Sequence, residues 1–210
     1  MSKINWRTVS DEEINTWPIL GRGGERVVRL DPNNPTQCVK LSSKTLAMQT
    51  EREADYLQEL EDKGIRSKYV PRFYGCIETP TQIGVVVEAI VPGPRFDATE
   101  LLSSYLHRIK DDPAALTEIT DRLLEAKAEM IRHNIIVSDL GPANMMAVTK
   151  DGRVDVVLID GFYVPEHIQT ARRFRFFGRL KINRQWKKFA KRTNKLLNLD
   201  PKKSIFSKYL

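Results

Sequence analysis

Hydrophobic and polar positions recur along the chain with two different periods. Over residues 17–41 the period is two. Pro18-Ile19-Leu20 leads into Gly21-Arg22-Gly23-Gly24, and Arg26-Val27-Val28-Arg29-Leu30 then alternates as a strand does. Asp31-Pro32-Asn33-Asn34-Pro35 is a turn signal, and Gln37-Cys38-Val39-Lys40-Leu41 forms a second alternating run. These runs predict a small antiparallel unit. Over residues 45–63 the period lengthens to that of a helix, with Leu46, Thr50, Glu53, Leu57 and Leu60 at three- and four-residue steps and Gly64 as the stop. Residues 69–78 and 83–88 predict a hairpin around Thr79-Pro80-Thr81. Val91-Pro92-Gly93-Pro94 then breaks the chain and marks a lobe boundary.

Residues 98–132 read as all-helical. Leu101, Leu102, Tyr105, Leu106 and Ile109 share one face, and a second helix runs through Leu116, Ile119, Leu123, Leu124, Ala128 and Ile131. Two short apolar runs follow, 135–137 and 154–159, each leading to an aspartate, Asp139 and Asp160, with Asn144 five residues past the first. Runs of this length predict buried strands, whose ends are rigid enough to hold a carboxylate still. Two carboxylates and an amide converging there could bind Mg²⁺ and orient a hydroxyl, as phosphoryl transfer requires. The same residue types are ordinary turn formers, so the segment by itself reads equally as two β-turns.

Composition narrows the class. With 41% hydrophobic and 29% charged residues in 210, the chain reads as one globular protein, in two lobes or one. No apolar run approaches the ~18 residues of a membrane span, and the first residues contain no apolar signal region. These features predict a cytoplasmic protein, in which Cys38 and Cys76 remain free thiols. The net charge of +7 conceals an asymmetry: residues 171–210 carry 14 Lys or Arg and a single acid, Asp200, whereas the rest of the chain is net acidic. The basic segment therefore predicts a surface for anionic partners.

Taken in order, the motifs resemble the protein-kinase-like fold. Leu20-Gly21-Arg22-Gly23-Gly24-Glu25-Arg26-Val27-Val28 looks like the glycine-rich loop that covers nucleotide phosphates, with Arg26 in place of the third glycine and Val28 where a valine covers the adenine. Cys38-Val39-Lys40 corresponds to the strand lysine, and Glu53, with Glu51 as the alternate, to its helix glutamate. Val87-Glu88-Ala89-Ile90 corresponds to the hinge that meets the adenine edge through backbone groups. Asp139-Leu140-Gly141-Pro142-Ala143-Asn144 matches D-L-x-P-x-N, and Asp160-Gly161-Phe162 stands for D-F-G with its last two residues exchanged. Val137-Ser138 replaces the usual His-Arg, and Gly141 replaces a phosphate-binding lysine, as in aminoglycoside- and choline-kinase-like enzymes.

Across about residues 17–195 the chain resembles more specifically the YrbL family, small bacterial kinase-like proteins associated with the PhoP regulatory network. The resemblance rests on the glycine-rich start, the Asp31-Pro32 turn running into Cys38-Val39-Lys40, E-R-E-A-D-Y-L at 51–57, V-P-R-F-Y-G-C-I-E-T at 70–79 and the Pro142-Ala143-Asn144 turn. It implies an α+β, minimal bilobal kinase-like fold, a single domain over 1–210. The small antiparallel-sheet N-lobe with one helix would span about 17–91, and the shortened, mainly helical C-lobe about 95–199, with the basic C-terminal segment at 171–210. It implies ATP and Mg²⁺ as cofactors. Gly21, Gly23, Gly24, Val28, Lys40 and Glu88 would contact the nucleotide, Glu53 would fix Lys40, Asn144 and Asp160 would carry the metal, and Asp139 would orient the acceptor. The departures point to a small-molecule or glycan hydroxyl as acceptor, lipopolysaccharide core sugars among them. The alternative is a pseudokinase that acts as a nucleotide-binding regulatory or scaffold protein.

In the basic segment, Trp186, Phe189, Ala190, Thr193, Leu196 and Leu197 form a helical stripe opposite Lys and Arg. Two readings stand: a last helix packed into the C-lobe, or a basic amphipathic surface in peripheral contact with anionic membrane or glycan. Nucleic acid is disfavoured, because no base-reading motif accompanies the charge.

Overall fold

The computed structural model describes residues 4–162 and 174–209, and the chain divides into two units: Met1–Arg66 with Pro71–Ala89, and Ser67–Val70 with Ile90–Leu210. Residues 171–173 and 210 of the basic segment lie outside the described residues.

The first unit is built on a six-stranded sheet of β1 (Trp6–Thr8), β2 (Ile19–Arg22), β3 (Val27–Leu30), β4 (Gln37–Ser43), β5 (Phe73–Glu78) and β6 (Gln82–Glu88), in the order β1-β5-β6-β4-β3-β2. Pairing within β2-β3-β4-β6-β5 is antiparallel, as the alternation predicts. The strand β4 lies between β3 and β6, so Lys40 sits opposite both Val28 and Val85. Two additions depart from the expected all-antiparallel sheet with one helix. Strand β1 joins the edge parallel to β5, and a short helix, α1 (Asp11–Thr16), starts at Ser10, whose hydroxyl accepts from the Glu13 amide. Ile14 of α1 is buried with Val9, Trp17, Val39, Leu41, Ile77 and Val86. Three exposed residues make too short a run to announce β1 in the sequence; its partner supplies the order.

Helix α2 (Ala47–Asp62) follows a 3-10 turn at Lys44–Leu46 and buries Thr50, Glu53, Ala54, Tyr56, Leu57 and Leu60, much the stripe the spacing predicts. Leu46 falls outside it, exposed in the turn. Both cysteines are free and buried, and burial pushes the Cys38 thiol up to about 11 and the Cys76 thiol up to about 12.

The second unit combines a three-stranded antiparallel sheet with helices. Strand β7 (Ala98–Leu101) pairs with β8 (Met145–Lys150), which pairs with β9 (Arg153–Leu158). Among the described residues it also contains helices α3 (Leu102–Ile109), α4 (Pro113–His133), α5 (Arg175–Leu197) and α6 (Ile205–Tyr209). Two expectations are corrected. Residues 98–101 are a strand rather than the start of a helix, because their backbone groups pair with β8. Residues 135–137 are buried but belong to no ladder, so Asp139 leaves a loop and not a strand end. Asp112 caps α4, accepting from the amides of Ala114 and Ala115, and left-handed Asn134 ends it. The chain class is α+β, as the family resemblance implies.

Candidate functional site

In the first unit the charged residues of interest meet on the inner side of α2. Lys40 donates to one carboxylate oxygen of Glu53 and Arg26 to the other, and Glu53 is only 1% exposed. A carboxylate this deep needs partners on both oxygens, and here it has them. Glu51, two residues earlier on the helix, is exposed, so the choice between the two glutamates falls to Glu53. Arg26, read in the sequence only as a missing glycine, is the second cation on that carboxylate. A buried hydrogen bond of 2.7 Å between Ser42 and Thr50 ties β4 to α2 beside the pair.

The glycine-rich segment closes β2 onto β3, and the Gly23 amide donates to the Arg26 carbonyl at 2.8 Å. No neighbour lies within 4 Å of where a Cβ on Gly21 or Gly24 would stand, and neither has a positive φ. Neither packing nor backbone conformation requires glycine at these two positions. A loop kept bare without internal need suits close approach by a ligand's phosphates. Glu88 behaves differently: its amide donates to the Arg72 carbonyl and that of Ala89 to the Thr36 carbonyl, each at 2.9 Å, so both serve the unit's own framework.

In the second unit Asp139, Asn144 and Asp160 are drawn together by the backbone itself. Met145 opens β8 opposite Leu158 at the end of β9, and the Ile159 amide donates to the Asn144 carbonyl at 2.9 Å. Asp160 therefore emerges beside Asn144. The Asn144 side-chain amide donates to the backbone carbonyl and to Oδ2 of Asp139, both at 3.1 Å, which leaves Asn144 its oxygen as a metal donor. Ser138 donates twice to the Gly161 carbonyl, from its amide at 2.8 Å and its hydroxyl at 3.2 Å. Gly161 has φ +89°, and a Cβ there would stand 3.0 Å from the Asp139 carbonyl oxygen. The exchanged order Asp-Gly-Phe thus has a local cause: glycine is needed where the two loops touch. Ser138, a departure from the kinase pattern, is the residue that fastens them.

Helix α5 holds this loop from behind. The buried Gln185 side chain donates to the Val137 carbonyl. Arg192 donates to Asp139 Oδ1 and, at 2.9 Å, to the Leu140 carbonyl. A Cβ at residue 141 would lie 3.2 Å from the Arg192 guanidinium, so Gly141 keeps open the space that Arg192 fills. Sequence reading missed Arg192 entirely; it lies 53 residues beyond Asp139 among many similar cations, and only the fold singles it out.

Among the described residues no group of three His, Cys, Asp or Glu side chains could hold a metal ion. A cation here would take one carboxylate and one amide oxygen from the protein and its remaining ligands from phosphate and water. That donor set fits Mg²⁺ accompanying a nucleotide. Among the described residues no helix is long and apolar enough to cross a membrane.

The family model for the PhoP regulatory network protein YrbL matches residues 13–194. No curated protein matches the chain.

Proposed function

The chain belongs to the PhoP regulatory network protein YrbL family, and we propose that it is an ATP- and Mg²⁺-dependent phosphotransferase of minimal kinase-like fold. The observation that carries the reading is the fastening of Asp139, Asn144 and Asp160 into one cluster by the Ser138–Gly161 and Asn144–Asp139 hydrogen bonds. Lys40, fixed by Glu53, would hold the α- and β-phosphates, and the bare glycines Gly21, Gly23 and Gly24 would let backbone amides reach them. Val28 would cover the adenine, and Glu88 would offer its carbonyl. Asn144 and Asp160 would hold Mg²⁺, which when bound neutralises charge on the phosphates. Asp139 would accept the proton of an acceptor hydroxyl as its oxygen bonds to the γ-phosphorus and the bridging bond to ADP breaks. The acceptor class is a small-molecule or glycan hydroxyl, lipopolysaccharide core sugar included.

Thermal shift with ATP tests the binding half and labelled-phosphate transfer the chemical half. ATP should raise the melting temperature only with Mg²⁺, and Asp160→Ala should abolish the rise. Asp139→Ala should keep the rise and lose transfer. A second reading, a nucleotide sensor without catalysis, is favoured by one observation: both carboxylate oxygens of Asp139 already accept donors, from Arg192 and Asn144. Under that reading ATP stabilises the protein, but Asp139→Ala and wild type turn over the nucleotide equally slowly.

A further inference from the structure

Helix α5 has two faces of different character. Ile182, Trp186, Phe189, Ala190, Thr193 and Leu197 are buried and form its inner face. The outer face opens with Phe176, Phe177 and Leu180, which are 69%, 49% and 49% exposed, and Phe174 at the helix start is 53% exposed. Phe177 meets Phe176 and Phe174 edge-to-face at 5.6 and 6.4 Å, which makes one continuous apolar foot of the three rings. From Leu180 the same face continues at three- and four-residue steps through Arg184, Lys187, Lys188, Lys191 and Lys195, and all five are exposed. The 23 residues of α5 include nine Lys or Arg and no carboxylate. The crowding is felt locally: burial, with Lys188 and Arg184 nearby, pulls the Lys181 ammonium below its ordinary value, and burial with Lys187 nearby does the same to Lys127 of α4.

We propose that the outer face of α5 is a docking surface for an anionic phospholipid membrane, with Phe174, Phe176, Phe177 and Leu180 entering the interface and Arg184, Lys187, Lys188, Lys191 and Lys195 lying on headgroup phosphates. The pairing of features selects this occupant. A lipid surface offers anionic charge directly above an apolar phase, matching cations in line with a cluster of aromatic and leucine side chains. A second copy of the chain docked face to face would bring five further outer-face cations against the first five. A nucleic acid would satisfy the charge but offers no apolar phase for Leu180 and rings already turned edge-to-face on one another. The helix is far too polar to span a bilayer, so it would lie along the surface. The surface is independent of the nucleotide chemistry.

The test is sedimentation of the full chain with vesicles of phosphatidylglycerol and phosphatidylcholine, against phosphatidylcholine alone, at low and high salt. Binding should require the anionic lipid and weaken with salt. The double substitutions Phe176→Ser with Phe177→Ser, and Arg184→Glu with Lys188→Glu, should each weaken it about tenfold or more. All four side chains are exposed, so unchanged melting temperatures should accompany the loss. Equal binding to phosphatidylcholine, no binding at low salt, or wild-type affinity in either variant would overturn the proposal. So would light scattering that reveals a dimer abolished by the Phe variant, or equal affinity for single-stranded DNA that the Phe variant leaves unchanged.

Discussion

Two glutamates, two steps apart on α2, divide fold from surface. Glu53 joins Lys40 and Arg26 in the interior, whereas Glu51 faces solvent. Removing Glu53 takes their shared carboxylate from the buried Lys40 and the partly buried Arg26, so Glu53→Ala should cost about 3–5 kcal/mol in urea unfolding. Glu51→Ala should stay within ~0.5 kcal/mol. Equal costs would mean that the ion pair does not organise this unit. This pair was legible in the sequence, because a lysine on a buried strand limits its partner to a glutamate on the inner stripe of the next helix. Arg192 was not legible. Its ion pair with Asp139 is half exposed on both sides, so Arg192→Ala should cost no more than ~1 kcal/mol. Under the phosphotransfer reading it should nonetheless change the rate of transfer, since it removes the cation from the proposed base. Gly141→Ala, which pushes a methyl towards the same guanidinium, should shift the rate in the same direction. Opposite shifts would separate the two residues.

At the scale of elements, sequence periodicity succeeded where an element is defined by its own burial and failed where a neighbour defines it. Helix α2 and the β2-β3-β4 ladder were readable because each repeats over enough residues to show its period. Ala98–Leu101 contains residues at ease in a helix and becomes β7 only because β8, more than 40 residues later, offers a free edge. Residues 135–137 reverse the case: their apolar run signals burial correctly, but no strand comes alongside. Helix α5 bears out the packed reading of the basic segment, and its charges form a separate outer surface. Deleting residues 171–210 would therefore remove core side chains such as Trp186 and Phe189 along with the cations. Point substitutions on the outer face are the cleaner probe.

For the whole molecule, the charge asymmetry acquires a location: the excess of cations in the basic segment is carried mainly along α5. The family assignment agrees with what the motifs implied, and the elements bear out the α+β class that came with it. The first sixteen residues, which the pattern did not resolve, matter in a different way. Strand β1 lies along β5, a six-residue run of Phe73-Tyr74-Gly75-Cys76-Ile77-Glu78, and the Cys76 amide donates to the Asn5 carbonyl at 2.8 Å. Without β1 the amides and carbonyls of an aromatic and β-branched strand would form an open edge, a template for any other extended chain. A chain beginning at Val9, which lacks β1 but keeps the buried Val9 and Ile14, should scatter light on gentle warming at temperatures where the full chain remains clear. If both stay equally clear, β1 is a passenger; if not, three exposed residues are what keep this sheet from recruiting its own copies into aggregates.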